Sequence, residues 1–222
     1  QYGYKFIKTE YLMHMDDDIF ISFNNLKILL NQFENLPIKS SIAPRVIINN
    51  DNNKDLFFKK YINLLLYNHP EPRPGTISKS TFEVGHNFSL YSNKEIESVD
   101  WIPGGISLIR KEHIIENQYF NFDGKAYCED LMHSNLLKNN GIKLFISNKS
   151  FFTTETQNYK DFKIKDFIKF IKKDFKARNH YRKAIKNPLV PFLFAYSLLI
   201  TNYLLKKIQI NFVRFKKSIN YF

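Results

Sequence analysis

The period of the apolar positions switches along the chain between two residues and three to four, which predicts alternating strands and helices. Tyr11-Leu-Met-His-Met15 is an apolar run that ends on Asp16-Asp17-Asp18, the pattern of a buried strand with carboxylates at its C-terminal end. Ser22 is placed to cap a helix over about residues 23–34, with Phe23, Leu26, Leu29 and Leu30 on one face and Pro37 beyond its end. Arg45 to Ile48 predicts a second strand, Asn49 to Asn53 a turn, and Leu56, Phe57, Tyr61, Leu64 and Leu65 a helix over 55–67. His69-Pro-Glu-Pro-Arg-Pro-Gly75 is too proline-rich to continue that helix and predicts a surface loop.

Further on, the apolar run Val99 to Ile109 is broken at Pro103, Gly104 and Gly105, where the missing side chains let the backbone approach a ligand or take a positive φ. Glu129-Asp130 opens a helix carrying Leu131, His133, Leu136 and Leu137, with Gly141 as its C-terminal cap, and Lys143 to Ile146 predicts another strand. Strands alternating with helices predict α/β architecture. No repeat and no Gly/Ser linker divides residues 1–159, which read as one domain.

Residues 160–222 differ in kind. Ile164, Phe167, Ile168, Ile171 and Phe175 predict one apolar helical face, surrounded by Lys165, Lys169, Lys172, Lys173 and Lys176. Such a helix suits an anionic membrane surface. Pro188 to Leu205 then carries no charge over 18 residues. As a helix it would reach about 27 Å against a hydrocarbon core of about 30 Å. Its two prolines, Ser197, Thr201 and Asn202 favour a re-entrant or in-plane segment over a clean span.

Charge sharpens this division. The 222 residues hold 33 Lys and Arg against 21 Asp and Glu, and residues 160–222 account for 16 of the basic side chains but only three of the acidic ones. The body is near neutrality and the tail is cationic. Cys128 is the single cysteine, which excludes an internal disulfide framework and a Cys-rich zinc module and suits a reducing compartment.

Three groups carry candidate chemistry. The Asp16-Asp17-Asp18 carboxylates repel one another unless a cation intervenes, and hard oxygen ligands suit Mg²⁺ or Mn²⁺. Alone, the triplet reads equally as a solvated loop before a helix. Glu129 and Asp130 suit a helix N-terminus electrostatically, and either could accept a proton from a substrate hydroxyl. Trp101 reads as a core residue or as a platform for a sugar ring. His14 reads as a buried strand residue, and the remaining histidines show no zinc spacing.

In this order, Tyr11-Leu-Met-His-Met-Asp-Asp-Asp-Ile-Phe20, Val99-Asp-Trp-Ile-Pro-Gly-Gly105, Ala126-Tyr-Cys-Glu-Asp-Leu131 and Gly141-Ile-Lys-Leu-Phe145 resemble bacterial glycosyltransferases of family 2, over roughly residues 1–155. The Asp-Asp-Asp-Ile-Phe segment by itself also resembles family 31 galactosyltransferases. The family 2 resemblance implies a GT-A fold, a Rossmann-like α/β core that binds a nucleotide-sugar donor and a divalent metal, Mn²⁺ or Mg²⁺, and inverts the anomeric carbon. It implies Asp18 and Asp16 as metal carboxylates, with Asp16 nearer the donor's sugar or ribose and Asp17 the variable middle residue. It implies Asp130 as the base, with Glu129 as the alternative, and Trp101, Gly104 and Gly105 around the donor and acceptor pocket. Where many members carry a further metal-binding histidine this chain has Phe151-Phe-Thr-Thr-Glu155, so Glu155 stands as a substitute or fewer protein ligands hold the ion. The family's base-binding strands precede the carboxylate motif by many residues, so the N-terminal part of the fold is expected to lie outside this sequence.

The resulting expectation is a catalytic domain over 1–159 and a membrane-associating helical tail over 160–222. Its partners are a nucleotide-sugar and a polysaccharide or lipid-linked acceptor, at the cytoplasmic face of a bacterial inner membrane. A transferase of a group other than a sugar would use the same ion but leave Trp-x-Pro-Gly-Gly unexplained. Nucleic-acid binding by the tail fits its uncharged stretch poorly, so no nucleic-acid partner is expected. An inactive remnant is the remaining alternative.

Overall fold

The computed structural model describes residues 2–47, 63–65, 67, 72–86, 93–115, 127–153 and 163–219. Its centre is a five-stranded mixed sheet of β1 (Tyr11–Met15), β2 (Ser40–Ile47), β3 (Ile96–Ser98), β4 (Ile106–Arg110) and β5 (Lys143–Thr153), in the order β1-β4-β2-β5-β3. β2 and β5 run parallel, and the other pairs are antiparallel. Helices α1 (Phe23–Glu34) and α2 (Glu129–Asn139) cover the sheet, and α3 (Ile164–Ala184) and α4 (Leu189–Ile219) follow it. The chain is therefore mixed α/β, as its alternating pattern predicts.

Alternation along the strands sorts the core into two layers. Leu108 and Ile42 face α1, where they pack with Leu29 and Phe33. Their neighbours Ile109 and Ala43 face the other way, into a cluster with Val99, Ile102, Leu137 and Ile146. Ser22 caps α1 as its sequence predicts, its Oγ accepting the Asn25 N–H at 3.3 Å. Gly141, at φ 77°, closes α2, with its own N–H bonded to Lys138 O and that of Ile142 to Leu137 O.

Two strands exceed their sequence-based bounds. β2 begins at Ser40 rather than Arg45: Ser41 enters the core with a partner at hand, its Oγ donating to Leu108 O at 2.8 Å, whereas the buried Ser40 Oγ has no partner among the described residues. β5 runs on from Ile146 to Thr153 past an irregularity, the register jumping from Pro44↔Ser147 to Arg45↔Phe151. Pro44 has no N–H to give the ladder, and Ser147 Oγ takes the N–H of Ser150 within the extra residues. The predicted 49–53 turn and most of the 55–67 helix lie outside the described residues; Asn63 to Leu65 are helical.

The tail is joined to the body through a buried charge network. The apolar stripe expected on α3 is rotated: Ile164 and Ile168 are exposed, and the buried face is Phe167, Asp174, Ala177, Arg178 and Tyr181. Arg178 pairs with Glu83 and Asp174, donates to Thr81 O at 3.0 Å and lies 4.4 Å from the centre of the Phe82 ring. Burial works against ionisation of Glu83, but the Arg178 guanidinium outweighs it and holds that carboxyl below the usual range. Tyr196 of α4 donates to Asp174, while Tyr203 stacks on Phe167 at 3.5 Å. α4 thus packs Phe192, Ala195, Tyr196 and Tyr203 inward and leaves Val190, Leu193, Phe194, Leu204, Leu205 and Ile208 exposed. By length and composition, Leu189–Gln209 is long and apolar enough to cross a membrane or associate with one.

Removing one partner of a buried ion pair leaves the other charge uncompensated. Arg178→Met is expected to destabilise the protein by about 3–5 kcal/mol in urea unfolding. Exposed Lys173→Ala is expected to change it by no more than about 0.5 kcal/mol. A loss below about 1 kcal/mol for Arg178→Met would contradict the network's role.

Candidate active site

The site is built on a turn without side chains. β1 delivers Asp16 to its C-terminal end, where the Asp16 N–H donates to Gly105 O at 2.8 Å. A Cβ on Gly105 would sit 2.5 Å from Ile19 Cδ1 and 3.3 Å from Asp16 Oδ2. On Gly104 it would sit 3.3 Å from Asp130 Cβ and 3.8 Å from Glu129 Cγ. Consecutive glycines therefore lie against Asp16 on one side and the start of α2 on the other. Two acidic groups more than a hundred residues apart in sequence meet across one turn.

The loop that carries the glycines is pinned from several directions. Ile102 N–H donates to Ser134 Oγ of α2 at 3.0 Å, and Asp100 N–H to Gly75 O at 2.7 Å. Gly75 has φ 71°, and a Cβ there would lie 2.4 Å from Val99 Cγ1, so both conformation and space require glycine. Trp101 is 8% exposed and packs with Leu131 and Tyr181. Its Nε1 donates to Val84 O at 3.2 Å and its ring lies 4.1 Å from that of His86. Both polar and apolar surfaces of the indole are taken up by the interior. Trp101 therefore anchors the Pro103-Gly104-Gly105 turn from within, rather than offering an open face to a sugar.

The acidic groups differ in environment. Asp16, Asp17 and Asp18 are exposed, and no ion pair among the described residues involves them. Partial burial, then the charges of Asp18 and Asp17, raise the Asp16 carboxyl above its ordinary range. Asp130 is half-buried in the first turn of α2, and its Oδ1 accepts the Leu131 N–H at 2.9 Å. Burial, and next the charge of Glu83, push its carboxyl up to about 7. A carboxylate so poised can take a proton near neutral pH. Glu129 beside it is exposed.

Residues without a role in the sequence pattern complete the surroundings. His14, two positions before Asp16, has its ring 5.7 Å from that of His133, one turn along α2 from Asp130. Tyr4 Oη lies 2.8 Å from His14 Nε2. Burial lowers both imidazoles, His133 to about 4. Cys128, immediately before α2, has φ 56°, and its Sγ donates to Asp174 Oδ1 of α3 at 3.6 Å. The available signal for this link was Asp174 and Arg178, four residues apart on a helix otherwise rich in lysine.

Among the described residues, no group of three or more His, Cys, Asp or Glu side chains converges on a point where an ion could sit. Asp16 and Asp18 still suit a hard divalent cation: they are neighbouring carboxylates with no cationic partner among the described residues, and Mg²⁺-type ions bind through one or two carboxylates plus the phosphates of a substrate. Glu155 lies outside the described residues. No protein-family model matches the chain, and no curated protein matches it.

The site's acid sensitivity follows from His86. Burial lowers its imidazole to about 4, although its Nε2–H donates to Trp101 O at 2.9 Å and that bond works in the opposite direction. Its folded pKa lies below the ordinary 6.5, so the neutral form stabilises the fold above pH 6.5, and that stability is lost as pH falls towards 4. Urea unfolding from pH 7 to pH 4 is expected to show this loss, with a shallower slope in His86→Gln. Equal slopes for both proteins would contradict the assignment.

Proposed function

We propose that this chain belongs to an inverting glycosyltransferase that moves a sugar from a nucleoside-diphosphate donor to a hydroxyl of a polysaccharide or lipid-linked acceptor. The observation that carries this reading is the Gly104-Gly105 turn, with Asp16 against one glycine and Asp130 against the next. Support also comes from the ordered motifs that resemble family 2 glycosyltransferases and from the mixed α/β sheet that bears them. The GT-A fold is part of the proposal.

The residues divide the chemistry by environment. Asp130 accepts the proton of the acceptor hydroxyl as that oxygen attacks the anomeric carbon. Half-burial serves this role, because it keeps the carboxyl basic enough to take a proton and limits water as a competing nucleophile. Glu129, exposed at the same helix start, is the alternative base. Asp18 and Asp16 would hold the divalent ion, Mn²⁺ or Mg²⁺, which when bound offsets charge on the leaving diphosphate. Asp16 also lies where the donor's sugar or ribose would reach the glycine turn, with Asp17 beside it. The open backbone at Gly104 and Gly105 admits the donor, and Trp101 holds that backbone in place from the interior. Attack and departure on opposite faces invert the anomeric centre without an enzyme nucleophile.

The helices support association with a membrane, which this reading takes to be the cytoplasmic face of a bacterial inner membrane. α4 already commits Phe192, Ala195, Tyr196 and Tyr203 to α3, while its other face presents Val190, Leu193, Leu204, Leu205 and Ile208. A helix with one face packed and one free lies in the plane of the interface, its apolar side in the acyl boundary and the neighbouring lysines at the headgroups. That arrangement brings the site close to a lipid-linked acceptor.

One assay tests both parts. The full-length protein with Mn²⁺, anionic vesicles and membrane extract as acceptor is expected to release nucleoside diphosphate from one nucleotide-sugar of a panel and to co-sediment with the vesicles. Asp18→Asn and Asp130→Asn are each expected to lower release by about 10²-fold or more. Val190→Glu with Leu205→Glu is expected to abolish co-sedimentation. Release that ignores Asp130→Asn would overturn the base assignment, and pyrophosphate as the product would identify a nucleotidyl transferase instead.

A further inference from the structure

We propose that a cleft between the C-terminal ends of α2 and α3 is a binding site for a neutral saccharide, separate from the carboxylate site. The cleft measures about 390 Å³, within the range of small-ligand sites of roughly 300–1,000 Å³. Asn135, Lys138 and Asn139 of α2 form one wall, and Tyr181, Ile185 and Lys186 at the end of α3 form the other. The inference stands on the chemistry of these walls and does not depend on the catalytic reading.

The walls carry hydrogen-bonding capacity that the fold leaves unused. Tyr181 is 2% exposed, its ring packed with Trp101 and Leu131, yet its hydroxyl has no hydrogen-bond partner among the described residues. That oxygen is not among the sealed, unsatisfied atoms, so it opens to the cleft. A hydroxyl that opens to a cleft without a protein partner bonds water there and can exchange that water for a ligand group. The side-chain amides of Asn135 and Asn139 also make no hydrogen bond within the described residues. An amide and a phenol each donate and accept, which matches a sugar hydroxyl, itself both donor and acceptor.

Charge selects among possible ligands. Two helix C-termini converge here, α2 ending at Asn139 and α3 at Ala184, and their partial negative charges disfavour a phosphate or carboxylate. Lys186 and Lys138 disfavour a cation, and Lys138 is already paired with Asp100 at 2.9 Å. A nucleobase would need a free aromatic face, and the Tyr181 ring is committed to the core. A neutral, hydroxyl-rich ligand remains, with Ile77 and Ile185 as the apolar surface for its C–H face. Asn135 is five residues from Asp130, about 7.5 Å along the same helix. A saccharide held here would lie within a short chain's reach of that carboxylate.

The test is direct binding to the full chain, read by backbone amide shifts and by titration calorimetry. The probes are neutral tetrasaccharides of glucose, galactose, mannose and N-acetylglucosamine, with inorganic phosphate as the anionic control. One tetrasaccharide is expected to bind and to shift the Asn135 and Asn139 amides. Its Kd is expected to rise at least tenfold in Asn135→Ala and in Tyr181→Phe, which keeps the buried ring, and to be unchanged in the exposed Lys173→Ala. Three outcomes would overturn the proposal: no tetrasaccharide binds, phosphate displaces it from the same amides, or binding is unchanged in Asn135→Ala. Because binding is read without turnover, loss of the catalytic reading and loss of this one give different results.

Discussion

Positions 104 and 105 leave little room for a side chain. A methyl group on the first would press on Asp130, and one on the second would collide with Ile19 and crowd Asp16. As glycine the backbone passes closely between these groups, with Asp16 against one residue of the turn and Asp130 against the other. Much of the structure around it serves to hold that turn still. β4 pairs with β1 up to Met15↔Ile106, Ser134 takes the Ile102 N–H, and Trp101 anchors the loop through Val84 and His86.

A second constraint links the cationic tail to this site. Arg178 is buried on α3, and it holds Thr81, Glu83 and Asp174 together where Asp174 also meets Cys128 and Tyr196. Glu83 is at the same time a charge that raises Asp130, and Arg178 one that lowers it. The helices that offer an apolar face outward thus share a charge network with the base. A buried ion network is costly to desolvate. Here it joins three segments, the 78–86 loop, the start of α2 and the α3–α4 pair, beside the apolar cluster of Trp101, Leu131 and Tyr181.

The parts of the site were legible in sequence because each is a local signal: a carboxylate run closing an apolar strand, paired glycines breaking one, an acidic helix start. Their meeting was not, since it depends on β1 pairing with β4, some 95 residues apart in the chain. Trp101 illustrates the limit. Its burial is decided by His86 and Tyr181, which local pattern cannot bring near it. The expected face of α3 was displaced for a related reason: Asp174 and Arg178 look solvated on a lysine-rich helix until Glu83 is found opposite them. Ser41 hid the start of β2 because a hydroxyl in a core becomes acceptable when a carbonyl such as that of Leu108 is within reach.

The central claim is that the Asp16–Asp18 carboxylates and Asp130 share one site across the glycine turn. Paramagnetic broadening by Mn²⁺, added with a nucleoside diphosphate to the isotopically labelled full-length protein, tests it most directly. The account predicts that the backbone amides of Gly104, Gly105 and Asp130 broaden together and recover in Asp18→Asn. Broadening that leaves all three untouched, or that persists in Asp18→Asn, would contradict it.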